Sequence, residues 1–180
     1  MARAQEQKRP KPSGERMWFA RELLTTNYGK PVSDEDRGFL QAVKEKARAS
    51  GLAPANQKAL LDYISIGEKS STRFSALQVE EMAKRYLDGR IGDGGFAFQM
   101  RLIKAWESRK LDGFIEEERK SLVPTLDARE GAKLGHMLDL AKSAQNQNLK
   151  VLALTTLDGY HPKVEGRERK IDDAIAVLSG

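Results

Sequence analysis

Apolar residues recur along this chain at helical spacing, broken by short polar or glycine-containing stretches. Ser13 is placed to cap a first helix reaching about Asn27, with Met17, Trp18, Phe19, Leu23 and Leu24 inward and Tyr28-Gly29-Lys30-Pro31 as its stop. Ser33 is placed to cap a second. Asp34, Glu35 and Asp36 fill its first turn and Lys44, Lys46 and Arg48 its last, which suits the helix dipole at both ends. Phe39, Leu40, Val43 and Ala47 form its apolar stripe. A third helix spans about Ala55 to Ile66, with Leu60, Leu61 and Ile64 on one face.

The fourth reads most clearly. Ser75-Ala76-Leu77-Gln78 has the form of a capping box, and Val79, Met82, Ala83, Tyr86 and Leu87 follow at helical spacing. Glu80–Lys84 and Glu81–Arg85 are expected as ion pairs four residues apart, and Gly89 as the helix stop. Phe114 to Leu122 predicts a short helix. Thr125 is placed to cap another that runs to about Ser143, with Leu134, Met137, Leu138 and Ala141 inward. Arg169 to Leu178 closes the series on Ile171, Ala174, Ile175 and Leu178.

Two segments fit both periods. Phe96, Phe98, Met100 and Leu102 alternate with Ala97, Gln99 and Arg101 as a strand would. Phe96, Met100, Ile103 and Trp106 also fit a buried helix running to Leu111, which the helical surroundings favour. Leu149–Leu157 is equally divided: Asn148 as a cap and Gly159 as a stop suit a helix, whereas Val151, Thr155 and Thr156 suit a strand. The expected fold is therefore mainly α, a bundle-like domain of about seven or eight helices. A small hairpin or strand pair from residues 95–103 and 149–156 stays open. Residues 1–13 read as a disordered basic arm and 14–143 as the helical domain. Residues 144–180 read as an extension on the same core, after the polar linker Ser143–Asn148.

Charge adds the strongest functional signal. The chain has 180 residues and a net charge of +5; residues 1–30 alone hold seven Lys/Arg against three acids. The basic excess is thus an arm on a nearly neutral body, the pattern of a chain that reaches for an anionic partner, most often nucleic acid. The absence of cysteine excludes disulfides, thiolate metal sites and cysteine nucleophiles. No apolar run is long enough to span a bilayer, and the basic start has no apolar stretch behind it, so a cytoplasmic protein without membrane contact is expected.

No constellation points to catalysis, a metal or a cofactor. Gly67-Glu68-Lys69-Ser70 ends like a phosphate loop but lacks its first glycine and its preceding strand. As a hydroxyl-rich loop ahead of a helix it can still offer donors to a phosphate. Asp88 to Gln99 fails as a calcium loop at Arg90, Gly92 and Gln99. His136 and Asp139 share a helix face and read as a surface pair. Tyr160 and His161 read as turn residues, and Glu116-Glu117-Glu118 as a solvated face.

The candidate nucleic-acid contacts are Arg3, Lys8, Arg9 and Lys11 in the arm and Lys69, Arg73, Arg90, Arg101 and Lys104 in the body. They suit contact with the phosphate backbone of DNA or RNA without sequence reading, alone or within a nucleoprotein assembly. Trp106 and Tyr86 are expected in the core. The alternative reading is a helical protein-interaction module: an adaptor, scaffold or inhibitor.

Overall fold

The computed structural model describes residues 31–180. The expected arm, the helix from Ser13, and Arg3, Lys8, Arg9 and Lys11 lie outside the described residues. Eight α-helices follow in order: α1 Asp34–Arg48, α2 Pro54–Lys69, α3 Arg73–Leu87, α4 Asp93–Glu107, α5 Leu111–Leu122, α6 Ala128–Ser143, α7 Gln147–Leu154 and α8 Arg167–Ser179. Short 3-10 turns, Val123–Thr125 and Thr155–Gly159, follow α5 and α7. No strand forms among the described residues; only two isolated bridges occur, Pro31 with Thr72 and Tyr160 with Lys163. The hairpin left open by the sequence is therefore absent from 95–103 and 149–156.

The apolar side chains gather in two clusters. Helices α1, α2 and α3 supply Leu40, Val43, Leu60, Tyr63, Ile64, Val79 and Met82 to the first. Helices α5 to α8 supply Ile115, Leu134, Met137, Leu138, Leu152 and Ile171 to the second. Helices α3 and α4 belong to both. Ala76, Val79 and Ala83 of α3 face the first cluster while Phe74 and Leu77 face the second.

That shared position explains the ambiguous alternation in α4. Phe96 and Ile103 enter the first cluster, Phe98 and Leu102 the second. A helix buried on two sides loses the single apolar stripe from which its period is read. It ends at Glu107, short of the expected Leu111, because Ser108-Arg109-Lys110 turn the chain into α5. Helix α7 is buried nearly all round, which erased its period as well. Its β-branched continuation is accommodated by local bonds: the Thr155 and Thr156 hydroxyls donate to the carbonyls of Leu152 and Ala153, each at 2.6 Å.

Ser33 caps α1 as expected. Its Oγ accepts the Asp36 N–H at 3.1 Å, and Asp36 Oδ2 accepts the Ser33 N–H at 3.0 Å. Three other caps differ from expectation. Thr72, not Ser75, caps α3, through the Ser75 N–H. Asp127 caps α6 in place of Thr125, whose hydroxyl closes the preceding turn on Leu122. Asn146 caps α7 in place of the buried Asn148. In each case two or more capping residues lie close together, and packing of the following turn selects one.

Helices α2 and α3 approach closely at Gly67. A Cβ there would lie 2.9 Å from Cβ and Cγ1 of Val79, so only glycine fits without displacement.

Candidate functional site

The cations expected to form a groove are mostly engaged with carboxylates. Arg73 Nε donates to Asp36 Oδ1 at 3.1 Å, Arg90 meets Asp88 at 3.4 Å, and Arg101 Nη1 donates to Glu118 Oε1 at 3.2 Å. Asp36 is almost fully buried. Burial pushes its pKa up, but hydrogen bonds from Ser33 and Arg73 outweigh that and hold it below the usual carboxylate range. Lys69, at the end of α2, and Lys104, on α4, stand exposed. The expected Glu80–Lys84 pair forms at 2.6 Å. No Glu81–Arg85 pair forms among the described residues, and Arg85 Nε is buried without a hydrogen-bond acceptor.

Glu118 departs most from its expected place. It is 2 % exposed rather than solvated, because α5 turns it toward α4 and the loop after α7. His161 Nε2 lies 2.9 Å from its Oε2, and the His161 ring stacks on Phe98 at 4.8 Å. His161 is therefore part of a packed polar joint and not only a turn residue. Tyr160 is likewise buried, donating its hydroxyl to Glu130 Oε2 at 2.8 Å. His136 stands exposed, and its expected partner Asp139 is taken by Arg119 at 2.5 Å. Among the described residues no three His, Asp or Glu side chains assemble as metal ligands would.

A cleft opens instead where α3, α4, α5 and α7 meet. Its volume is about 980 Å³, the upper part of the range for small-molecule sites. Ser70, Ser71 and Thr72 form one wall, Trp106, Glu107 and residues 109–113 another, and Gln147 and Lys150 a third. None of Lys69, Arg73, Arg90, Arg101 or Lys104 lines it, although Lys69 directly precedes Ser70.

The cleft gathers positive potential from two sources. Arg109, Lys110 and Lys150 outnumber Glu107 and Asp112 among its lining residues. The N-terminal ends of α3, α5 and α7 also border it, and each carries partial positive charge on its first N–H groups. Thr72 and Asn146 cap α3 and α7, whereas α5 has no side-chain cap. A side chain built at Gly113, in the first turn of α5, would meet nothing within 4 Å, so the backbone there faces open space.

Backbone geometry places Arg109 at the cleft. The Arg109 N–H bonds the Trp106 carbonyl at 3.1 Å and the Lys110 N–H bonds that of Ala105 at 2.8 Å, a Schellman closure of α4. The same pattern closes α3, where Gly89 and Arg90 bond Tyr86 and Arg85. Gly89 has φ 72°, the left-handed conformation that glycine adopts freely; Arg109 takes φ 57° in the equivalent position. An arginine thus occupies a glycine position beside the cleft.

Trp106 is half-buried and packs against both apolar clusters. Its Nε1 donates to Ser75 Oγ at 2.7 Å, and its ring meets Phe74 edge-on at 6.1 Å. The residue is partly core, as expected, and partly cleft wall. Missing from the sequence-derived site are Arg109, Lys110 and Lys150. The adjacent Arg-Lys pair before a helix start was the visible signal for two of them; Lys150 gave none.

Fold and cleft define an all-α protein with a basic cavity at the junction of its two apolar clusters. The chain matches no protein-family model, no curated protein and no solved structure. Among the described residues no helix is long and apolar enough to cross a membrane.

Proposed function

We propose that the protein is a non-catalytic nucleic-acid-binding module, or a small subunit of a nucleoprotein assembly, that contacts mainly phosphates. The observation that carries this reading is the convergence of Arg109, Lys110, Lys150 and three helix N-termini on one cleft. The basic N-terminal segment joins the body beside that cleft: Pro31 bridges to Thr72, a residue of the cleft wall. Residues 1–30, with their excess of cations, directly precede Pro31 in the sequence. Of the cations expected to form a groove, Arg73, Arg90 and Arg101 are neutralised by carboxylates, whereas Arg109 and Lys110 stand exposed at the cleft.

The test is a salt titration of binding to unrelated single- and double-stranded oligonucleotides. Affinity should fall log-linearly with salt, with a slope of about −0.7 to −0.9 per phosphate contacted. Replacing Arg3, Lys8, Arg9 and Lys11 with Ala should flatten the slope by up to about three units, and Lys110→Ala by up to about one. Neither change should create a preference for one base over another. No binding at low salt would reject this reading in favour of a helical module for protein partners.

A further inference from the structure

Arg109, Lys110 and Lys150 meet at one cavity, whereas the cations expected to line a groove do not form a row. A strand bound along its length needs successive cations for successive phosphates, yet Arg73, Arg90 and Arg101 are held by Asp36, Asp88 and Glu118. A single cavity with several convergent donors suits one concentrated anion. A phosphate monoester carries about −1.5 to −2 charges at neutral pH, against about −1 for an internal phosphodiester.

Lys150 is the pivotal group. Its side chain is only 5 % exposed, and it lines the cleft. Its ammonium has three donors. Among the described residues its Nζ has one acceptor, Asp112 Oδ1 at 3.1 Å. A buried ammonium with unused donors facing a cavity is ready for a further acceptor. Asp112 itself is 66 % exposed, so its carboxylate can swing into solvent at small cost. Beside it lie the uncapped first turn of α5, with its open backbone at Gly113, and the side chains of Arg109 and Lys110 at the rim. The volume leaves room beyond a phosphate for a nucleoside against the Trp106 ring.

We propose that the cleft is a pocket for a terminal phosphate monoester, at the end of a nucleic-acid strand or on a free nucleotide, with Lys150 as its buried cation and Asp112 as the internal counterion that the phosphate replaces. The strand-end form rests on the nucleic-acid reading above; the pocket itself does not.

The experiment compares the full chain with Asp112→Asn and Lys150→Met. The probes are one oligonucleotide bearing a 5′-phosphate, a 3′-phosphate or hydroxyls at both ends, together with a nucleoside monophosphate and inorganic phosphate. Binding is measured at a salt concentration high enough to suppress the arm's contribution. A phosphate end should tighten binding about tenfold, the least that one added charge-assisted hydrogen bond supplies. Asp112→Asn, on an exposed residue, should enlarge that preference, because the competing carboxylate charge is gone. Lys150→Met, which keeps the aliphatic stem, should abolish the preference for a phosphate end, so that all three oligonucleotides bind alike. Equal affinity for all three oligonucleotides in the wild-type protein overturns the pocket and leaves the nucleic-acid reading standing. A nucleoside monophosphate that binds through Lys150 while no oligonucleotide binds does the reverse: the pocket holds and the nucleic-acid reading falls. A preference unchanged in Asp112→Asn overturns the counterion role even if Lys150→Met does not fold.

Discussion

Arg167 grips Glu130 with two parallel hydrogen bonds, Nε to Oε2 at 2.7 Å and Nη2 to Oε1 at 2.8 Å. Tyr160 donates to the same Oε2, so the first turn of α6, the start of α8 and the loop that leads into α8 are tied at one carboxylate. The Arg167 bonds lower the Glu130 pKa more than burial raises it. A carboxylate held below its unfolded value stabilises the fold above that value, 4.5 here, and the contribution is lost as pH falls through the folded-state pKa. Denaturant melts at neutral and acidic pH should therefore show a smaller acid loss in Glu130→Gln than in wild type. Arg167→Ala, which strands a buried carboxylate, should cost about 3 kcal/mol at neutral pH.

Tyr86 donates to Asp93 Oδ1 at 2.6 Å and stacks on Phe96 at 4.3 Å, joining the end of α3 to the start of α4. Burial first, and then the Asp93 carboxylate, push its phenol up to about 12. The neutral phenol is the form the fold favours. Its contribution is whole below the ordinary value of 10.0 and is lost as pH rises through about 12. Tyr160, buried against Glu130, is pushed up as well, so spectrophotometric titration should show two late-ionising tyrosines, one of which is lost in Tyr86→Phe. That variant should lose about 1 kcal/mol at neutral pH.

Gly67→Ala tests the α2–α3 contact. The new methyl would sit 2.9 Å from two carbons of Val79, both on a stiff side chain, so the helices must separate. A loss of about 1–3 kcal/mol is expected. The double variant with Val79→Ala should lose less than the sum of the two single changes, since each relieves the other. Additive losses would mean that the helices already have room.

Arg109→Gly should move stability and binding in opposite directions. Glycine removes the left-handed penalty, raising stability by about 1 kcal/mol. It also removes a guanidinium from the cleft, so oligonucleotide affinity should fall and its salt slope flatten by up to about one unit. A variant neither more stable nor weaker in binding would show that the left-handed arginine serves neither role.

The helical class, and each helix with one buried face, was legible in the order of the residues alone. In α1 the Ser33 cap, the acidic first turn and the stripe positions Leu40, Val43 and Ala47 agreed, because one side meets protein and the other water, whereas Phe39, expected in the same stripe, stands 42 % exposed. In α6 the inward positions Leu134, Met137, Leu138 and Ala141 were legible for the same reason. Tertiary structure decided α4 and α7, whose burial on several sides leaves no stripe to read. It chose Thr72 over Ser75 as a cap, since Ser75 is needed as the acceptor for Trp106 Nε1. It turned Glu118 from a surface acid into a buried partner of Arg101 and His161. It also made the cleft, whose lining comes from residues 70–72, 106–107, 109–113, 147 and 150. Helical period reports only which side of one helix is dry. Which ends of separate helices meet, and which cations keep their charge unspent there, follows from long-range packing that no local pattern encodes.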